Sequence, residues 1–113
     1  MPFINIKTNE NVTEEKAKAI KSKLGLAITA IPGKSEGWLM VGIEDDYKLF
    51  FRGNEEPAAM VEVSIYGKAS DNALSVLTSN ITGVMLDVLG ISTDRIYVSY
   101  MTTDNCGWNG SNF

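Results

Sequence analysis

Few groups in this sequence could move a proton near neutral pH. Its 113 residues include no histidine and a single cysteine, Cys106. A histidine-based triad, a histidine metal ligand, a Cys/His zinc site and an internal disulfide are therefore excluded. The second position holds a proline, Pro2. A small second residue permits removal of initiator methionine, which would leave a secondary amine at the start of the chain. Apolar surroundings disfavour a charged amine, so burial would bring its pKa down toward working pH. Pro2 also has a plainer reading, because proline lacks an amide donor and is tolerated as the first residue of a strand. Cys106 has no base beside it in the sequence and reads as an apolar packing residue rather than a nucleophile. The acidic turn Glu44-Asp45-Asp46 lacks the spaced oxygen ligands of a calcium loop and reads as solvated. No metal and no cofactor is expected.

Two strand–helix–strand units position these groups. Pro2, Ile4 and Ile6 alternate with Phe3 and Asn5, the period of a strand that begins at once. Thr13 caps a helix whose first turn carries Glu14 and Glu15, and whose buried stripe is Ala17, Ile20, Leu24, Ile28 and Ile31. Lys16, Lys18, Lys21 and Lys23 fall on its solvated side. Pro32-Gly33 stops the helix, and a loop containing Lys34 leads to Trp38–Ile43, an apolar run expected for a strand covered on both faces. A short strand is expected at Lys48–Arg52. The pattern then repeats. Ala59, Val61, Val63 and Ile65 alternate with Met60, Glu62, Ser64 and Tyr66, and Ser70 caps a helix with the stripe Leu74, Leu77, Ile81, Val84 and Val88. Arg95–Met101 alternates again, and a Gly- and Asn-rich tail ends on aromatic residues.

The expected fold class is α/β (α+β): a single domain over 1–113, built from internal repeats 2–43 and 58–101. Two helices cover one face of a four-stranded mixed sheet, with right-handed crossovers. A ferredoxin-like sandwich shares this element order, and periodicity does not choose between the strand orders. The open sheet face would carry Asn5, Lys7, Glu62 and Ser99 with Met60, Tyr97 and Met101, a mixture that predicts self-association around a wet interior.

Charge narrows the partners. Ten basic against fourteen acidic side chains give a net charge of -4, which argues against nucleic acid and against an anionic membrane surface. No apolar run approaches the ~20 residues of a membrane span. No basic-then-apolar leader precedes the first strand, so the expected location is cytoplasmic, or secreted without a signal peptide. On that basis the N-x-S/T triplets at Asn11, Asn80 and Asn109 are treated as accidental.

Several local runs converge on a family. They are Met1-Pro2-Phe3-Ile4, Pro32-Gly33-Lys34, Gly53-Asn54-Glu55-Glu56-Pro57, Ser64-Ile65, Ser92-Thr93-Asp94-Arg95-Ile96-Tyr97 and Gly107-Trp108-Asn109-Gly110-Ser111-Asn112-Phe113. In this order, from end to end, the chain resembles the macrophage migration inhibitory factor family of the tautomerase superfamily. The resemblance implies a β-α-β-β-α-β protomer and a homotrimer around a central channel. It also implies keto–enol tautomerisation of arylpyruvate-like α-keto acids by the amino-terminal proline.

By position, Pro2 matches the family's catalytic proline, Lys34 the lysine that binds the substrate carboxylate, and Ile65 a residue whose backbone amide helps to hold it. Tyr97 matches a pocket tyrosine supplied by the neighbouring subunit. Trp38, Cys106, Trp108 and Phe113 fall at apolar or aromatic pocket positions. The chain also departs from the pattern. Ser99 replaces an asparagine, Tyr66 interrupts the Ser-Ile-Gly-Lys run, and the segment between Tyr100 and Asn105 is short. Ala58 and Val61 stand where animal members carry a Cys-x-x-Cys pair, so thiol-redox activity is not expected. The family also implies a second function class, a cytokine-like protein that engages a receptor and keeps a vestigial pocket.

Overall fold

A computed structural model describes residues 1–113. Strand β1 (Pro2–Thr8) leads into helix α1 (Glu14–Ala27) and strand β2 (Met40–Glu44). Strand β3 (Ala59–Tyr66), helix α2 (Asp71–Leu89) and strand β4 (Ile96–Thr103) repeat that sequence of elements. The sheet order is β2-β1-β3-β4, with β1 parallel to β2, β3 parallel to β4, and β1 antiparallel to β3. Each crossover therefore joins strands that are neighbours. A ferredoxin-like sheet splits them with an intervening strand, so the duplicated unit is the architecture here.

Both caps form as their residues dictate. Thr13 Oγ1 accepts from the Lys16 amide at 3.2 Å and Ser70 Oγ from the Ala73 amide at 3.1 Å. Beneath the helices, Ile4, Ile6, Val61 and Ile65 of the sheet meet Ile20, Leu24 and Ile28 of α1 and Leu77, Ile81 and Met85 of α2. The stripe on α2 is rotated from its expected position. Ala73, Met85 and Leu89 are buried, while Leu74 and Val88 flank the core half-exposed. By length and composition α2 could cross a membrane, but Leu77, Ile81 and Met85 are fully buried in this core.

Three expectations change. Trp38 lies in a single 3-10 turn (Glu36–Trp38), and β2 is an edge strand with partly exposed faces, not a strand covered on both. Residues Lys48–Arg52 form no strand; one isolated bridge, Phe51 to Asn54, is all the pairing there. Arg95 precedes β4 in a 3-10 turn and is buried, 7% exposed. The last two changes share a cause. The Arg95 guanidinium donates to the carbonyls of Pro57 (2.8 Å), Glu56 (2.9 Å) and Phe51 (3.2 Å). The Asn9 side chain donates to those of Leu49, Glu55 and Glu56. Carbonyls turned toward these side chains are not free to make a ladder.

The open face of the sheet carries the polar–apolar mixture expected of it. Lys7 pairs with Glu62 at 3.1 Å, and Asn5 donates to Glu44 at 2.8 Å. Beside them Tyr97 and Met101 are 60% and 66% exposed.

Candidate active site

A cleft of about 860 Å³ opens at the end of the sheet where β1 starts and β3 finishes. Met1, Lys34, Trp38, Tyr66, Trp108 and Phe113 line it, with Leu39, Met40 and three glycines between them. Its rings form two edge-to-face pairs. Trp38 meets Trp108 at 5.2 Å between centroids, and Tyr66 meets Phe113 at 4.7 Å.

Local sequence explains how these groups arrive. Asn109 and Gly110 both have positive φ, 51° and 89°, the requirement of a two-residue type I′ hairpin. That turn folds the tail into strands β5 (Gly107–Trp108) and β6 (Ser111–Asn112), which present Trp108 and Phe113 together. Trp38 is carried by its 3-10 turn, whose Glu36 carboxylate lies directly over Gly25 of α1, where a Cβ would collide with it. Lys34 follows the helix stop and extends its ammonium to the Tyr66 carbonyl at 3.0 Å.

The end of β1 sets the electrostatics. The Met1 amine is held below the ordinary range of a terminal amine, first by burial and next by the Lys34 charge, with Cys106 opposing. The Met1 carbonyl accepts from the Tyr66 amide at 3.1 Å. Pro2 is buried, whereas Met1 is half-buried.

Met1, Lys34, Trp38, Trp108 and Phe113 thus come together in one protomer, with Pro2 next to Met1, while Cys106 adjoins the lining residue Gly107 without lining the cleft itself. Ile65 does not share in this. Its side chain is fully buried, and it pairs with Pro2. Hydrogen bonds alternate along an antiparallel ladder, so the bond between Tyr66 and Met1 turns the Ile65 N–H toward β4. At the cleft end the amide that faces β1 is that of Tyr66, and it is engaged by the Met1 carbonyl. Tyr97 and Ser99 are also remote. Thr103 lies opposite Tyr66 at the cleft end, and at ~3.3 Å per residue Tyr97 and Ser99 stand about 20 and 13 Å back along β4. The Tyr97 ring packs on Phe51 instead, at 5.5 Å.

Two features escaped the sequence reading. The Asn109-Gly110 hairpin had a readable signal in its dipeptide. The place of Tyr66 in the cleft had none, because strand alternation says only that its side chain leaves the core.

This fold, two β-α-β units sharing one sheet with a cleft at its end, is that of the tautomerase superfamily. The chain belongs to the macrophage migration inhibitory factor family, whose model matches residues 1–113. Similar curated proteins include the macrophage migration inhibitory factor of Meriones unguiculatus. It is 30% identical over 118 residues, covering 100% of this chain and 99% of the relative. Among solved structures, MIF2 of Leishmania major superposes with a TM-score of 0.94 at 31% identity, over 100% of this chain and 97% of that one. The homologue from Prochlorococcus marinus gives 0.82 at 28% identity, covering 98% of each chain.

Proposed function

We propose that the chain, once Met1 is removed, is a cofactor-independent keto–enol tautomerase for phenylpyruvate-like α-keto acids, with the Pro2 nitrogen as general base. The amino terminus carries this reading. Its amine lies in the same cleft as Lys34, and burial and the lysine charge together already favour its neutral form. Pro2 is more deeply buried than Met1. Its nitrogen, once freed, would face the same lysine charge and the same apolar walls, which disfavour the protonated form.

The reaction needs only proton movement. The neutral amine takes a proton from the carbon beside the ketone, and the electron pair moves to oxygen as an enolate. Protonation on oxygen then yields the enol, with no net change in composition. Lys34 commits one of its three ammonium protons to the Tyr66 carbonyl and keeps two for the substrate carboxylate. Removal of Met1 also takes away the acceptor of the Tyr66 amide, which becomes a second donor to that carboxylate. Charge developing on the enolate is stabilised by the same fixed donors. The aromatic rings receive the aryl group and exclude water.

The working assembly in this proposal is a homotrimer. Its support is the exposed Tyr97 and Met101 on the open face, and the distance of Tyr97 and Ser99 from their own cleft, which leaves a neighbouring copy to deliver them. Inserting Ala between Met1 and Pro2 tests the base. The proline nitrogen becomes an amide, and phenylpyruvate turnover should vanish while the fold and assembly persist. Turnover at the parent rate, with the insertion confirmed by intact mass, would refute amine catalysis and leave a receptor-binding protein with a vestigial pocket.

A further inference from the structure

Lys34 fixes where a carboxylate would sit, and Tyr66 is the residue that fixes Lys34. Its carbonyl receives the lysine ammonium at 3.0 Å, and its amide holds the amino-terminal strand through Met1 at 3.1 Å. It is the last residue of β3, paired with Thr103 of β4. The backbone of Tyr66 is therefore tied to β4 and to the lysine loop, and neither tie depends on Met1. Its side chain cannot enter the core, because the neighbouring Ile65 occupies the inward position and is fully buried. The ring turns into the cleft and meets the edge of Phe113 at 4.7 Å and 67°. An aromatic ring thus stands on the same residue that anchors the carboxylate site.

We infer that Tyr66 is a specificity-determining residue, whose ring selects acids bearing a flat aromatic group over aliphatic acids of similar length. The inference deepens the tautomerase reading and takes from it the carboxylate on Lys34. Aromatic rings favour edge-to-face and offset partners at centroid separations of about 4.5–7 Å, because their faces are negative and their edges positive. The Tyr66–Phe113 and Trp38–Trp108 pairs border one cleft. A third ring entering between them finds both faces and edges to oppose. An alkyl chain gains the burial but not the quadrupole. That difference corresponds to a preference of about 2- to 10-fold for each ring pair.

Binding of acids that cannot react tests this without turnover. The affinities of the Met1-trimmed protein for 3-phenylpropanoate and hexanoate are compared by titration calorimetry in the parent, Tyr66→Leu and Tyr66→Phe. The aryl-to-alkyl affinity ratio should fall more than about twofold in Tyr66→Leu and stay at the parent value in Tyr66→Phe, which keeps the ring. Hexanoate binding reports that the cleft is still formed, and Tyr66→Met replaces the leucine variant should that chain fail to fold. A ratio in the leucine or methionine variant within twofold of the parent overturns the inference. So does a Tyr66→Phe ratio that falls as far as theirs, since the hydroxyl rather than the ring would then be responsible. Because neither acid tautomerises, failed catalysis by Pro2 would leave this selectivity standing. A failed selectivity would likewise leave the proton chemistry untouched.

Discussion

Replacing Lys34 by alanine removes two effects that the structure separates. The first is a charged hydrogen bond to the substrate carboxylate. Such bonds contribute about 1.5–3 kcal/mol, so the KM for phenylpyruvate should rise about 10- to 150-fold if the Tyr66 amide is the carboxylate's only remaining donor. The second effect acts on the base. The lysine charge is the second cause, after burial, of the depressed pKa of the Met1 amine, and the same charge would act on the Pro2 nitrogen that trimming frees. Without it the protonated amine is easier to form, so the pKa rises and a smaller fraction of the base is neutral at any pH below it. A pH series of kcat/KM in parent and variant reads both effects. The plateau should drop, and the acidic limb should move toward higher pH. Folding should be unaffected, because Lys34 is half-exposed and the Tyr66 carbonyl borders an open cleft. An unchanged KM toward a carboxylate substrate would assign Lys34 to the solvated loop. A lower KM with an unmoved limb would contradict both parts of the reasoning.

Sedimentation equilibrium of the native protein should give a trimer at micromolar concentration, and a monomer there would remove the shared site proposed for Tyr97. Arg95→Ala removes a buried guanidinium from the carbonyls of Pro57, Glu56 and Phe51; Glu56 and Phe51 keep donors in the Asn9 side chain and the Asn54 amide, and Pro57 is left with none. Urea unfolding should then show a loss of at least about 2 kcal/mol, since charged hydrogen bonds lie in that range, and no loss would mean that water replaces the guanidinium fully. Burial holds the Tyr100 hydroxyl above the ordinary tyrosine range, with its hydrogen bond to Thr78 opposing. Absorbance titration should therefore show one tyrosine ionising after the others. The folded state keeps this proton longer than the unfolded chain does. Its stabilising contribution is thus complete below the unfolded value of about 10 and is lost as pH rises through the folded one.

Local sequence dictates the two helices, the four long strands and their order. Thr13 and Ser70 cap helices because an oxygen there has orphan amides to receive, and Ile4, Ile6, Val61 and Val63 face inward because side chains alternate along a strand. These are local rules, written in neighbouring residues. The resemblance also singled out Pro2, Lys34, Trp38, Trp108 and Phe113, from three distant segments. Pairing is set by long-range contacts instead. Strand order depends on which edges meet, and both candidate orders satisfy the same periodicity. The lost strand at Lys48–Arg52 follows from Arg95 and Asn9, which lie some forty residues away on either side and claim its carbonyls. The amide that bonds Met1 at the cleft end is that of Tyr66, and the Ile65 amide faces β4, because hydrogen bonds alternate along the ladder with β1; that phase is fixed by the register of two strands rather than by either one alone.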